Sequence, residues 1–197
     1  MTTPNLAKPP YSVGLSMPEA AAALAEAMQA TGLLALPAPP AAERWIGTFL
    51  EAYADRLNTV GDALDPVRAL RSEAVVVPAL ALERLRNRQV LFFLDTIGQY
   101  VDDQAELRGL QVAHDVAEIA KEYGIERDDA LWAVRLALTG EEEGPPLELL
   151  FPLLGHDRIM IRIGAINSHL LHGRGLEPIP FGPDGRPFVP LSGKKPS

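Results

Sequence analysis

The chain contains no cysteine among its 197 residues. This absence excludes disulfide bonds, thiol catalysis and cysteine-ligated metal centres. Long apolar stretches are also lacking, because no uninterrupted run approaches the roughly 20 residues that a helix needs to cross a bilayer. The N-terminus has no continuous apolar core of the kind that a signal peptide carries. We therefore expect a soluble, cytoplasmic protein.

Histidines are few, four in all, and none falls in a pattern typical of a metal or catalytic site. His169 and His172 lie three residues apart, but no nearby carboxylate or cysteine completes a ligand set. His114 and Asp115 are neighbours, and adjacent helical residues point about 100° apart, so we interpret both as surface groups. The sequence offers no nucleophile and base at a catalytic spacing. We expect no catalytic residue, no metal and no cofactor.

The net charge of −8 is unevenly distributed along the chain. Residues 95–150 carry 14 acidic and 4 basic side chains. Residues 1–94 carry 9 acidic and 8 basic side chains, and residues 151–197 carry 3 acidic and 6 basic side chains. Attraction for phosphate depends on local patches rather than on net charge. An arginine-bearing face in the first or last third is therefore compatible with a nucleic-acid partner. The densest basic cluster is more typical of a solvated surface; it consists of Arg84, Arg86 and Arg88.

Apolar residues recur with helical spacing through most of the chain. Pro18 followed by an alanine-rich run and Gly32 predicts a first helix. Asp128 and Asp129 are suitable N-caps for a later one. The β-branched run at residues 75–77 has no partner strand, so we expect it to be helical or irregular. An aromatic stripe at helical spacing indicates core rather than a base-stacking platform; it comprises Trp45, Phe49, Tyr53, Leu57 and Val60.

These patterns predict an all-α protein of about eight or nine helices, packed as an irregular bundle in two lobes. The predicted N-terminal lobe covers residues 17–101, and the C-terminal lobe covers residues 107–172. Residues 1–16 contain several prolines, and we expect them to form an extended lead-in. Residues 173–197, rich in proline, glycine and basic residues, form a tail.

The most specific signal is the stretch WAVRLALTGEEEGPPLELLFPLLG at residues 132–155. Gly140 lies where a helix is expected to end in a left-handed cap. The three glutamates at residues 141–143 then lie near the negative end of the helix dipole, which predicts an exposed loop. The proline pair at residues 145–146 fits the start of the next helix. Pro152 lies inside that helix and predicts a kink or a short helix.

The blocks VRLALTG, GPPL and LLG resemble the C-terminal, anticodon-binding half of bacterial class I glutamyl-tRNA synthetases. In that family a similar Leu-Arg-x-Ala-Leu-Thr-Gly block precedes a Pro-Pro-Leu helix start. The segment ADRLNTVGDAL is partly similar to the family's Arg-Ala-x-Thr-Leu segment: Arg56 and Thr59 match, whereas Leu57 and Asn58 differ. The resemblance covers about residues 17–172.

The resemblance implies a set of candidate contacts to RNA phosphates and base edges. The segment containing Arg56 approaches the anticodon arm in the family, and Arg135 lies inside the best-matching motif. A second pair shares one face of the last predicted helix. The full set is Arg56, Thr59, Arg135, Arg158 and Arg162.

Structural roles are equally open for two of these arginines. Arg56 is placed to pair with a nearby acid such as Glu51 or Asp55, which would make it an ordinary surface ion pair. Arg135 is placed to hold carbonyls or acids between two helices without meeting RNA.

The family's catalytic domain carries His-x-Gly-His and Lys-x-Ser-Lys motifs, and neither occurs here. A glycine-rich phosphate turn is absent too, so we expect no aminoacylation by this chain alone. One hypothesis is a free-standing relative that binds tRNA, with glutamate tRNA as first candidate, or assists a synthetase. The other is a protein-interaction module that kept the fold and lost RNA binding. Neither involves DNA or a membrane.

Overall fold

The computed structural model describes residues 16–35, 40–53 and 56–172. Over these residues the chain is all-α, which confirms the predicted fold class, with eight α-helices, one 3₁₀ turn and no strand. Most of the predicted lead-in and all of the predicted tail lie outside the described residues. The helices are α1 (Met17–Ala30), α2 (Pro40–Ala52), α3 (Leu64–Arg71) preceded by the 3₁₀ turn (Gly61–Ala63), α4 (Ala79–Leu85), α5 (Arg88–Asp102), α6 (Val112–Glu122), α7 (Arg127–Thr139) and α8 (Leu147–His172).

Helix α1 begins and ends at the residues that its sequence predicts. The backbone N–H and the hydroxyl of Ser16 both donate to the Glu19 carboxylate, at 2.7 Å each. These bonds lower the pKa of Glu19 and hold the first turn, in which Pro18 costs no hydrogen bond. Gly32 follows the last turn with a φ of 71°, a left-handed conformation that glycine adopts without strain.

The aromatic stripe of α2 packs into the core, as predicted. Trp45 and Phe49 stack with ring centroids 5.5 Å apart, and Phe49 and Tyr53 stack at 4.8 Å. Phe49 and Tyr53 are buried. The Trp45 indole N–H donates to the carbonyl of Leu153 at 2.9 Å, which ties α2 to α8. Because α2 ends at Ala52, the later part of the stripe follows the helix.

Helix α7 has the predicted end but a different start. Its N-cap is Glu126, and Asp128 and Asp129 lie inside the first turn, so the prediction that these aspartates cap the helix is wrong. Their carboxylates still stabilise the positive end of the helix dipole. Gly140 ends the helix with a φ of 76°, which confirms the left-handed cap. The segment at residues 75–77 is irregular.

Helix α8 contains a break, which lies at Gly155 rather than at Pro152. Gly155 has φ 74° and ψ 166°, a combination that is essentially open to glycine alone. The first part of α8 is therefore short, in agreement with one of the two predicted effects of Pro152. The second part buries a continuous apolar face of Ile159, Ile163, Ile166 and Leu170.

The long helix α8 organises the packing of the other helices. It contacts α2, α3, α5, α6 and α7. The buried apolar side chains form one cluster that includes residues from both predicted lobes, so the boundary between lobes stays a prediction. Within the described ranges, no helix combines the length and apolar character needed to cross a bilayer.

Candidate nucleic-acid interface

The loop after α7 brings two distant arginines to one place. We call Glu141, Glu142 and Glu143 the acidic loop. A terminal nitrogen of Arg56 lies 2.9 Å from the Glu141 carboxylate, and one of Arg84 lies 2.7 Å from the Glu142 carboxylate. The loop is exposed, as predicted. Two of its three carboxylates, those of Glu141 and Glu142, are nonetheless paired, which the sequence did not indicate.

Trp132 on α7 completes the Arg84 contact. The Arg84 guanidinium carbon lies 4.0 Å from the centroid of the Trp132 ring, a cation–π arrangement. The Trp132 indole N–H donates to the same Glu142 oxygen that accepts from Arg84, at 3.1 Å. Arg84 was predicted to be a solvated surface group. It is exposed, but the ring and the carboxylate both fix its position.

Arg135 lies on α7 and is half-buried. Burial, and then the neighbouring charge of Arg56, lower the pKa of Arg135, while Glu143 and Glu148 act in the opposite direction. The Nε–H of Arg135 donates to the carbonyl of Pro145 at 3.4 Å. The interpretation in which Arg135 holds carbonyls between two helices predicts a contact of this kind. Because Arg56 pairs with Glu141, both arginines reach the loop that follows α7.

We call Arg56, Arg84 and Arg135 the arginine face. Its members come from the segment after α2, from α4 and from α7. The acidic loop pairs with Arg56 and Arg84, and the Arg135 side chain lies beside Gly144, the residue after the loop. Arg56 pairs with Glu141 rather than with Glu51, the described one of its two predicted partners. Because Arg56 and Arg84 are 85 and 58 residues from their glutamates, no local sequence pattern could reveal these pairs.

Thr59 is exposed and closes a local turn. Its hydroxyl accepts a hydrogen bond from the Asp62 backbone N–H at 3.3 Å, and the Asp62 carboxylate accepts from the Thr59 N–H at 2.8 Å. Asn58 also donates its N–H to Asp62, at 3.0 Å. These bonds lie at the start of the 3₁₀ turn that leads into α3, so Thr59 has a role in local structure whether or not it meets RNA.

Arg158 is partly exposed and bonds to backbone carbonyls. Its Nε–H donates to Arg71, and a terminal N–H donates to Leu154, each at 3.2 Å. The first contact joins α8 to the end of α3. Arg158 therefore connects two helices, and part of its side chain remains accessible.

Arg162 is buried, with 2% of its surface exposed. Its terminal nitrogens donate to carbonyls in the last turns of α7 and α3 and to the residue that follows α3; these are Leu138, Ala69, Leu70 and Ser72. Burial lowers the pKa of Arg162 to about 10. The prediction that Arg162 forms an RNA-contacting surface pair with Arg158 is therefore wrong. Two helix C-termini, each with partial negative charge, hold this cation inside the protein.

Two comparisons with known proteins identify the family of this chain. A model described as "Anticodon binding domain" matches residues 20–166. Glutamate–tRNA ligase 2 of Caldanaerobacter subterraneus subsp. tengcongensis is 26% identical over 122 residues, which cover 62% of this chain and 25% of that protein. Glutamate–tRNA ligase of Desulfitobacterium hafniense is 27% identical over 131 residues, which cover 66% of this chain and 27% of that protein.

A shorter match has a higher identity. Glutamate–tRNA ligase 2 of Gluconacetobacter diazotrophicus is 60% identical over 30 residues, which cover 15% of this chain and 7% of that protein. The chain thus spans about a quarter of the length of the first two relatives. Because the family model matches most of the chain, this protein belongs to the anticodon binding domain family, in its glutamyl-tRNA synthetase type.

Proposed function

We propose that this domain binds the anticodon arm of a tRNA, or assists a synthetase in doing so, and does not aminoacylate tRNA by itself. The family supports tRNA as the ligand. The relatives are ligases, but the matched region is about a quarter of their length, and the ATP-binding motifs of the synthetase family are missing from these 197 residues. A cytoplasmic location goes with this function.

The observation that carries the proposal is that Arg56 and Arg135 both reach the loop after α7: Arg56 pairs with Glu141 at 2.9 Å, and Arg135 bonds to the Pro145 carbonyl at 3.4 Å. The two guanidinium groups are near enough for the charge of Arg56 to lower the pKa of Arg135. Like charges are brought together at a cost, and a phosphate group between them removes that cost. Arg135 is half-buried, so little side-chain entropy is lost when it binds. Two adjacent arginines therefore suit the backbone of a folded RNA.

The proposal predicts salt-dependent binding that needs both arginines. We expect Arg56→Ala and Arg135→Ala each to weaken binding of glutamate tRNA roughly tenfold at low salt, and to reduce the slope of log affinity against log salt by about 1. Fluorescence anisotropy with glutamate tRNA and an unrelated tRNA, at low and near-physiological salt, measures both quantities.

Lys121→Ala is the matched control for these variants. Lys121 carries the same charge and forms an exposed ion pair with Glu118 on α6 at 2.6 Å, but it is outside the arginine face. We expect it to change affinity less than twofold. If Lys121→Ala lost as much tRNA affinity as the arginine variants, net charge alone would explain the losses. No binding at low salt would reject the tRNA proposal.

A protein partner is the second candidate, and exposed apolar residues favour it. Val76 and Leu80 expose 88% and 81% of their surfaces, near the irregular segment before α4. Analytical ultracentrifugation of the domain with a purified glutamate–tRNA ligase tests this candidate. A complex that forms without tRNA and is lost in Leu80→Asp would favour a protein-interaction module.

A further inference from the structure

We propose that the arginine face is an anion-binding site and that the acidic loop occupies it as an internal substitute for RNA phosphates. In this arrangement Glu141 and Glu142 compete with the ligand, and Arg84 joins Arg56 and Arg135 as a binding residue. The identity of the displaced ligand rests on the proposed tRNA function. The anion site itself does not, and a small polyphosphate tests it separately.

The pattern of ion pairs distinguishes the acidic loop from the rest of the surface. Five ion pairs occur among the described residues. Three of them join residues three apart in sequence, as is common on any helical surface. The two that remain join the acidic loop to Arg56 and Arg84. The loop is thus the one described segment whose carboxylates gather cations from distant parts of the chain.

The glutamates are held loosely enough to be replaced. The side chains of Arg56 and Glu141 are 38% and 56% exposed, and those of Arg84 and Glu142 are 54% and 52% exposed. Ion pairs in contact with water contribute little and weaken with salt. A polyanion that brings several phosphates can replace them, and rotation of two glutamate side chains is enough to free both guanidinium groups.

Two of the three arginines, Arg84 and Arg135, are also held by contacts that do not involve the acidic loop. Arg84 lies on the Trp132 ring at 4.0 Å, and Arg135 donates its Nε–H to the Pro145 carbonyl. Both contacts persist when the glutamates rotate away. The guanidinium groups then keep their terminal N–H donors directed to a new acceptor, which limits the entropy lost on binding.

The test neutralises the loop without changing its size. We expect Glu141→Gln/Glu142→Gln to bind sodium tripolyphosphate and glutamate tRNA roughly three- to thirtyfold more tightly than the unmodified protein, as expected from the loss of two exposed competing pairs. Adding Arg84→Ala to this variant should reverse most of the gain. Isothermal titration calorimetry measures tripolyphosphate binding, and fluorescence anisotropy measures tRNA binding.

Glu118→Gln/Glu122→Gln is the control with the same change in net charge. Both residues are exposed on α6, and neither forms an ion pair with the arginine face in the described part of the chain. We expect less than a twofold change from it. Because all four glutamates are exposed, the two double variants should fold equally well, and thermal unfolding checks this.

The outcomes separate the two proposals. Tighter tripolyphosphate binding by the loop variant with no tRNA binding would keep the anion site and reject the tRNA function. Equal tripolyphosphate affinity in the loop variant and the α6 control would overturn the anion site. If the unmodified protein and the loop variant bound tRNA equally well, the idea that the loop competes with RNA would be overturned while the tRNA function stood.

Discussion

Replacing Arg162 with methionine is expected to lower the free energy of unfolding by about 3–5 kcal/mol. Its terminal nitrogens bond to four carbonyls at the ends of α3 and α7. Methionine fills similar volume but donates nothing, so buried carbonyls at two helix ends would lose their partners. The buried Nε of Arg162 has no hydrogen-bond partner among the described residues. Its removal therefore offsets a small part of the lost stability. Urea denaturation followed by circular dichroism measures the change.

Two variants show whether the position or the charge is responsible. Arg158→Met removes an arginine one turn away on the same helix, and we expect a loss of about 1 kcal/mol or less because that side chain is partly exposed. Arg162→Lys keeps the charge but lacks the planar fork, so it should recover only part of the stability. If Arg162→Met and Arg158→Met lost the same amount, Arg162 would not be the link between α3, α7 and α8.

Gly140→Ala is expected to cost about 3 kcal/mol or more. The left-handed conformation at this position, with a φ of 76°, costs roughly 1–2 kcal/mol for a residue with a side chain. A Cβ atom would also lie 2.2 Å from the Val76 carbonyl oxygen, so the segment before α4 would have to move. Thermal and urea unfolding measure the loss.

Gly124→Ala is the matched control for Gly140→Ala. Gly124 ends α6 with a φ of 64° and has no atom within 4 Å of an added Cβ. Gly124→Ala therefore loses only the cost of the left-handed conformation, about 1–2 kcal/mol of unfolding free energy. The difference between the two variants isolates the contact with Val76. If both variants lost the same stability, the segment that contains Val76 would move away from the added Cβ atom without an energetic cost. Gly140→Ala should also displace Glu141, and so alter anion binding.

The helix ends that glycine or proline marks were predictable because their causes are local. The alanine-rich run after Pro18 forms α1, and the glycines that follow α1, α6 and α7 have positive φ. The break in α8 was predictable only in part. Proline removes one hydrogen bond and suggested Pro152 as its centre, but the chain turns at Gly155, because only glycine tolerates the required backbone angles.

The candidate site was less predictable because the sequence does not distinguish a surface arginine from a buried one. Arg158 and Arg162 lie four apart and were assigned to one exposed face. The structure buries Arg162, since two helix ends that are far apart in sequence converge on it. Arg84 was considered only as a solvated group. Its place beside Trp132 and Glu142 depends on the tertiary structure, which brings α4 near α7 and the acidic loop.

The sequence by itself determined the all-α class, both ends of α1, the end of α7, and the family to which the chain belongs, because periodicity, caps and motifs act over a few residues. Only the tertiary structure decided which arginines reach water, which of them are neighbours, and which carboxylates neutralise them. The reason is physical. The energy of a charge depends on its burial and on groups within a few ångströms, and several of those groups come here from residues 58 to 93 positions away in the chain.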